Sequence, residues 1–380
     1  MNTEAQKINY SPAIILALVA AVVLLFALLV VEKSADEPEQ LSTSEASVQP
    51  QKIYQWRMVT TWPKNFPGLG SAAENFAQYV NEASGGRLQV KVFGGGQLVP
   101  ALGVFDAVSS GAAEMGHSAA YYWKGKIPAS PFFTSVPFGM NAQEMNGWLR
   151  YGGGLELWRE LYEPFDLIPF PAGNTGVQMA GWFNKEINTV DDIKGLKMRI
   201  PGLAGEVWNR AGGTAVNIPG GELYTSLQTG VIDAVEWVGP YNDLAFGFQQ
   251  IAKHYYYPGW HEPGPTLELM VNKTAYESLP EDLQQIIDKA SRAVNQDMLD
   301  EYTARNNSAL QELVEVHGVK VERLPQSVID YLKVTSDKMY ADMSAKDESF
   351  ARIYQHYREF AEGAQNYHKL SEQSYYDARD

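Results

Sequence analysis

The chain has 380 residues, with 45 Asp and Glu against 30 Lys and Arg and a formal net charge of −15. That balance argues against a nucleic-acid partner, because phosphate binding needs clustered cations, and it makes any small-anion site depend on local Lys or Arg. There are no cysteines, which excludes a disulfide framework, a thiolate metal site and a cysteine nucleophile.

Residues 13–31 carry no charge and are rich in Leu, Val, Ala and Ile. As a helix they would extend roughly 28 Å, close to a hydrocarbon thickness of about 30 Å. A cleavable secretory signal has a shorter apolar stretch, about 7–15 residues, followed by small residues. Here Lys33 stands where such a signal needs a small side chain, so residues 1–31 read as an uncleaved signal anchor in the inner membrane. Lys7 and Lys33 lie on opposite sides of the span and do not set its orientation. The short N-terminus is expected to stay in the cytoplasm and the remainder to be exported to the periplasm. Residues 32–52, mostly Ser, Glu, Gln, Asp and Pro, have little to bury and read as a flexible linker.

Residues 53–380 have aromatics and glycines throughout, and about 328 residues exceed what one core usually supports. They contain an internal echo. Residues 85–98 and 212–223 are each a Gly pair, a short alternating strand and a Gly-rich turn. A helical stretch follows in each case, at 105–110 and 224–229, then Gly111 or Gly230 as a left-handed cap, then a β-type run. Two such units point to two related α/β lobes. The expected lobes are 53–175 for the first, 176–275 for the second, 276–325 as a helical return to the first, and 326–380 as a C-terminal helix.

Between the units, residues 128–137 are rich in Pro and Phe and read as a buried crossover. Pro280, Glu281 and Asp282 mark a helix start, which runs to about Glu315. A β-type stretch at 319–324 ends at Pro325. From Ser327 to about Gly363 the pattern is helical, with Val328, Leu332, Thr335, Met339 and Met343 on one stripe. A segment this long would brace both lobes or dock on another subunit.

Enzyme chemistry is weakly represented. Ser118 half matches a nucleophile elbow but lacks its second Gly. The six His residues show no metal-binding spacing; His261-Glu262 runs into Pro263 instead of the second His of a helical zinc motif. Residues 94–96 are all Gly but lack the dinucleotide fingerprint and the phosphate-loop Lys. These read as turn and core residues, and a lyase-type enzyme has no visible base.

Binding chemistry is better represented. In the octapeptide 195–202, Leu196, Met198 and Ile200 alternate with Lys197 and Arg199, so a strand would put both cations on one face. Pairing should stop at Pro201, leaving Arg199 at a strand end, where α/β proteins bind ligands. The octapeptide alone also fits a solvated cation. Asn174 and Gln178 sit in an apolar segment, Glu236-Trp237 ends a β run, Tyr121 and Tyr122 follow another, and His261-Glu262 is hemmed by Pro and Gly. Together they offer hard oxygen ligands, one Arg and aromatic walls, an inventory suited to a small carboxylate bound with Na⁺ or Ca²⁺.

These segments, with residues 55–60, resemble the extracytoplasmic solute-binding subunits of tripartite ATP-independent periplasmic (TRAP) transporters, the DctP family, over nearly all of 54–357. The similarity is strongest to the branch that binds 2-oxo acids or lactate. It implies a two-lobed periplasmic-binding-protein-like fold with a long connecting helix and a long C-terminal helix, which in this branch can be swapped into a homodimer. It implies no catalysis, uptake of a monocarboxylate such as pyruvate, TRAP membrane subunits as partners and a metal cation (Na⁺ or Ca²⁺) as cofactor. By that resemblance Arg199 clamps the carboxylate, Asn174 and Tyr121 or Tyr122 contact ligand oxygens, and the metal is held by Gln178, Glu236, the Trp237 carbonyl and Glu262. Gln178 and Trp237 would also touch the substrate. The chain departs from the family's usual pattern in its retained anchor and linker, which also suit a membrane-anchored sensor or scaffold.

Overall fold

The computed structural model describes residues 12–34 and 52–379. The chain divides into two compact units, Met1–Lys52 and Ile53–Asp380. The expected cytoplasmic segment before residue 12 and most of the expected linker, residues 35–51, lie outside the described residues.

In the first unit, α1 (Pro12–Ser34) is a 23-residue helix. Its described side chains, Ala13 and residues 16–28, are all exposed. Among the described residues no helix is long and apolar enough to cross a membrane. Residues 16–28 alone reach roughly 20 Å against a hydrocarbon core of about 30 Å.

The second unit carries the strands β1 (Tyr54–Thr60), β2 (Leu88–Phe93), β3 (Met115–Ser118), β4 (Leu167–Asn174), β5 (Gly181–Phe183), β6 (Lys197–Arg199), β7 (Thr214–Val216), β8 (Ala234–Val235), β9 (His254–Tyr257), β10 (Thr266–Asn272) and β11 (Val321–Arg323). They form two sheets, ordered β2-β1-β3-β10-β4 and β11-β9-β5-β8-β6-β7. Helix α2 (Leu69–Ala83) joins β1 to β2, and the helix Val104–Ser109 leads into β3. In the second sheet α3 (Gly202–Arg210) joins β6 to β7, and the helix Leu223–Gln228 leads into β8. Both triplets are parallel, with the first strand central: β2-β1-β3 and β7-β6-β8. The sequence echo is therefore one βαβαβ unit used twice. Its carboxyl ends present residues 61–62 and 119–122 on one side and residues 200–201 and 236–238 on the other.

The chain crosses between the sheets three times. Residues 175–180 lead from β4 to β5, and residues 258–265 lead back from β9 to β10. Thus β10 pairs antiparallel with both β3 and β4 in the first sheet, although it lies inside the stretch 176–275 assigned mainly to the second lobe. The first two crossings are bonded side by side: Thr175 N donates to Pro265 O at 3.2 Å and Gln178 N to Glu262 O at 3.2 Å. Gly259 permits this approach, because a Cβ there would stand 2.1 Å from the Gln178 carbonyl oxygen.

Helix α4 (Glu281–Glu315) begins where Pro280 and two acids mark its start, and at 35 residues runs roughly 52 Å. It packs on β4 and α2 of the first lobe and on the helix Pro240–Phe246 of the second. It then delivers β11, which joins the second sheet beside β9. The helical tail is two helices, α5 (Gln326–Ser344) and α6 (Glu348–His368), because the Asp347 side chain accepts from Phe350 N and starts a new helix. Phe350, Ile353 and Tyr357 on α6 are buried, and the Tyr357 hydroxyl accepts from Met140 N at 2.7 Å. The Phe132 ring, from the expected buried crossover, lies 4.9 Å from Phe350 and 5.4 Å from Tyr357, centroid to centroid. Truncating Phe350 to Ala should therefore destabilise this unit by about 3–5 kcal/mol in urea unfolding. A loss below about 1 kcal/mol would mean that α6 does not fold with the rest.

Candidate functional site

Arg199 ends β6 as the alternation requires, but it is not a solvated cation: only 1 % of its surface is exposed. Leu196, Met198 and Ile200 are buried on the opposite face. Pro201 and Gly202 then turn the chain into α3, with Gly202 at a φ of +63° and next to Tyr121. The guanidinium is held on every side. Nη1 donates to the Glu236 carboxylate at 2.5 Å and to the Glu236 carbonyl at 2.9 Å. Nε donates to Ile218 O at 3.3 Å, and Nη2 donates to the Tyr122 hydroxyl at 3.0 Å. The guanidinium carbon also lies 4.9 Å from the centroid of the Trp237 ring, which adds a cation–π attraction. A guanidinium has five N–H groups; among the described residues these four bonds leave one, on Nη2.

Glu236, fully buried just beyond β8, is the second centre. Its other carboxylate oxygen stands 3.2 Å from His261 Nε2. One ligand atom each from Glu236, His261 and Glu262 falls within 4.8 Å of the others. Two oxygens in this neighbourhood, Gln178 Oε1 and Glu262 Oε2, are buried without a hydrogen-bond partner among the described residues. Leaving buried polar atoms unpaired is costly, so a cation that accepts oxygen ligands fits this donor set. Burial and then the neighbouring Glu236 carboxylate push the Glu262 pKa well above its ordinary value, while Arg199 pulls it back in part. For Arg199, burial is the largest single influence and opposes the charged form, but Glu236, Tyr122, Tyr121 and Glu262 together outweigh it and the pKa rises.

A small cavity of about 10 Å³, roughly the room one water molecule needs, adjoins this cluster. Trp62, Leu69, Val238, Pro265 and Leu267 supply its apolar wall, and Tyr121, Tyr122, Thr175, Gln178 and Trp237 its polar side. Arg199, Glu236 and Glu262 stand behind Tyr122, Trp237 and Gln178, not on the cavity wall itself. Trp62 is fixed from the first lobe. Its Nε1 donates to His117 Nδ1 at 2.8 Å, and His117 Nε2 bonds Ala172 O at 2.9 Å. Burial lowers the His117 pKa to about 4, so the ring stays neutral and accepts from Trp62.

The structure thus brings together Arg199, Glu236, Trp237, Glu262, Gln178, Tyr121 and Tyr122. Asn174 stands apart. Its amide donates to Gly264 O at 3.1 Å and to Thr266 Oγ1 at 3.3 Å, and accepts from Gly176 N at 2.8 Å. It pins the two crossings and does not line the cavity. Gln178 lies on a loop, since β4 stops at Asn174. His261 was set aside for want of a second His along the chain; its partners in space are acids from other segments.

Beneath Glu236, Asp243 is buried and accepts from Trp182 Nε1 at 3.1 Å and the Tyr255 hydroxyl at 2.8 Å. Burial raises its pKa to about 7, against those two hydrogen bonds. In the unfolded chain it ionises near 3.9. Between those values the folded state holds more protons, so this group makes stability fall as pH rises from about 4 to about 7. Asp243→Asn should flatten that part of the stability–pH profile in denaturant titrations. An unchanged slope would mean that Asp243 ionises normally.

Residues 58–347 match the model of the bacterial extracellular solute-binding proteins, family 7 (DctP). A monocarboxylate 2-oxoacid-binding periplasmic protein of Nostoc sp. is 45 % identical over 320 residues, which is 84 % of this chain and 87 % of that one. A TRAP periplasmic solute-binding protein of Pseudoalteromonas atlantica, solved with bound sodium and pyruvate, is 47 % identical with a TM-score of 0.84, covering 86 % of this chain and 99 % of its own. One from Colwellia psychrerythraea, solved with calcium and pyruvate, is 45 % identical with the same TM-score of 0.84, covering 86 % and 100 %. The repeated βαβαβ unit, the paired crossings and the long bracing helix are the two-lobed frame of these proteins, and the chain belongs to the DctP family of TRAP-transporter solute-binding proteins.

Proposed function

We propose that this protein captures a small 2-oxo monocarboxylate of about pyruvate's size together with Na⁺ or Ca²⁺ and delivers it to the membrane subunits of a TRAP transporter. The observation that carries this reading is the buried Arg199 facing two buried acids, with unpartnered oxygens beside a small cavity of mixed polar and apolar lining. Arg199 would bind the carboxylate, in a charge-assisted bond contributing on the order of 1.5–3 kcal/mol net. Tyr121 and Tyr122 would meet its oxygens. Gln178, Glu236, the Trp237 carbonyl and Glu262 would hold the cation. When bound, that ion offsets the acids and supplies positive charge to the ligand's oxo oxygen. Trp62, Leu69 and Leu267 exclude water and leave little room for a long side chain.

The two lobes meant here are the units built on the two sheets, with 53–175 mainly in the first and 176–275 mainly in the second. Residues 13–31 would anchor the receptor to the periplasmic face of the inner membrane, a reading supported by their unbroken apolar run. The exposed Tyr367, Leu370, Tyr375 and Tyr376 at the C-terminus support docking of that helical end on a second copy.

Pyruvate should raise the melting temperature of the full chain in calcium- or sodium-containing buffer, and Arg199→Ala should abolish that shift. Glu262→Gln should weaken it and reduce its dependence on the cation. A pyruvate shift retained in Arg199→Ala would remove Arg199 from the site.

A further inference from the structure

We propose that Glu236 is an exchangeable counter-ion, paired with Arg199 until a cation and a carboxylate bind and then turning to the cation. This rests on reading the site as a receptor for a carboxylate and a cation. The fork that should grip a carboxylate is already occupied: Glu236 Oε1 accepts from Nη1 at 2.5 Å and the Glu236 carbonyl from the same nitrogen at 2.9 Å. Ile218 and Tyr122 hold the remaining edges. With Nη1 on Glu236, Nε on Ile218 and one Nη2 hydrogen on Tyr122, a single N–H is left, so a ligand carboxylate finds no two parallel donors until one of these partners lets go. Both side chains are buried, at 1 % and 0 % exposure, so no water replaces a lost partner. Parting them unassisted would leave a buried charge uncompensated.

The same carboxylate has a second destination. Glu236 belongs to the cluster with His261 and Glu262, close to the unpartnered Glu262 Oε2 and Gln178 Oε1. As Glu236 turns toward a cation held by these oxygens, Nη1 is released to the incoming carboxylate. Arg199 and Glu236 then each keep an opposite charge throughout, and neither is stranded. The two ligands are therefore coupled through Glu236, and by linkage each must tighten the other by the same factor.

The test is calorimetric titration of the full chain with pyruvate, in chelator-treated choline buffer and again with calcium chloride or sodium chloride. Wild type should bind pyruvate on the order of tenfold or more tightly with the cation, and calcium should bind more tightly by the same factor with pyruvate. Glu236→Gln keeps the shape but weakens the charge-assisted bond. Its cation-free affinity for pyruvate should rise above that of wild type while the cation enhancement shrinks. Glu236→Asp, shorter by one methylene, should move both in the same direction and serves if the Gln variant does not fold. Glu262→Gln should shrink the cation enhancement, since it removes one of the oxygens that would hold the ion. If both Glu236 variants match wild type without cation, Glu236 is only a metal ligand and the exchange is overturned. If wild type binds pyruvate equally with and without cation, the coupling is overturned. If wild type binds no monocarboxylate under any condition, the underlying reading of the site falls and this inference with it.

Discussion

The buried ion pair between Arg199 and Glu236 is the constraint around which this molecule is arranged. Both charges come from carboxyl ends of parallel strands in the second sheet, adjacent as β6 and β8. Removing either from water is expensive, and the pair is tolerated because every neighbour is an oriented dipole or an aromatic face. Ile218 and Glu236 offer carbonyls, Tyr122 a hydroxyl, and Trp237 the face of its ring. Gly220 makes room for that ring, since a Cβ there would stand 2.5 Å from it.

The use of one supersecondary unit twice explains where the pocket lies. Each βαβαβ triplet directs its strand ends toward the seam, the position where open α/β sheets place ligands. The first triplet contributes Trp62, Tyr121 and Tyr122; the second contributes Arg199, Glu236 and Trp237. The two halves are not chemically equivalent. The first triplet offers aromatic and hydroxyl groups, and the second offers the buried Arg199–Glu236 ion pair.

How much of this the sequence disclosed follows from the range of each interaction. The alternation around Arg199, the helix start at Pro280 and the doubled Gly-strand-Gly pattern are local, and each is legible in a short window. The separation of β10 from its neighbours in sequence is not, because β10 pairs with β3 and β4 across a second crossing. The same holds for His261, whose partners in space are Glu236 and Glu262, and for Trp62, fixed through His117 by a carbonyl of β4. Asn174 shows the converse. A polar side chain in an apolar segment suggested ligand contact, yet its bonds all go to the crossings. The tail was legible as helix but not as two helices, since the decisive feature is the Asp347 cap within an otherwise continuous pattern.

The crossings also decide what binding does to the whole molecule. Gln178 lies on one, His261 and Glu262 on the other, and the two are bonded at Thr175–Pro265 and Gln178–Glu262. A hinge is a short segment whose backbone absorbs the change when lobes move. Here the side chains with unpartnered oxygens, Gln178 and Glu262, project from the crossings, while the Glu236 carboxylate projects from the second lobe. Any charge gathered by these groups therefore ties the second lobe to the hinge instead of filling a cleft at a distance from it. Across the seam, the Phe66 ring lies 4.6 Å from that of Phe246, tilted by 33°, and Asn242 donates to Pro67 O at 2.9 Å. Those contacts are individually weak, on the order of 1 kcal/mol each. By contrast, Tyr122 and Trp237 hold the buried guanidinium between them from opposite lobes.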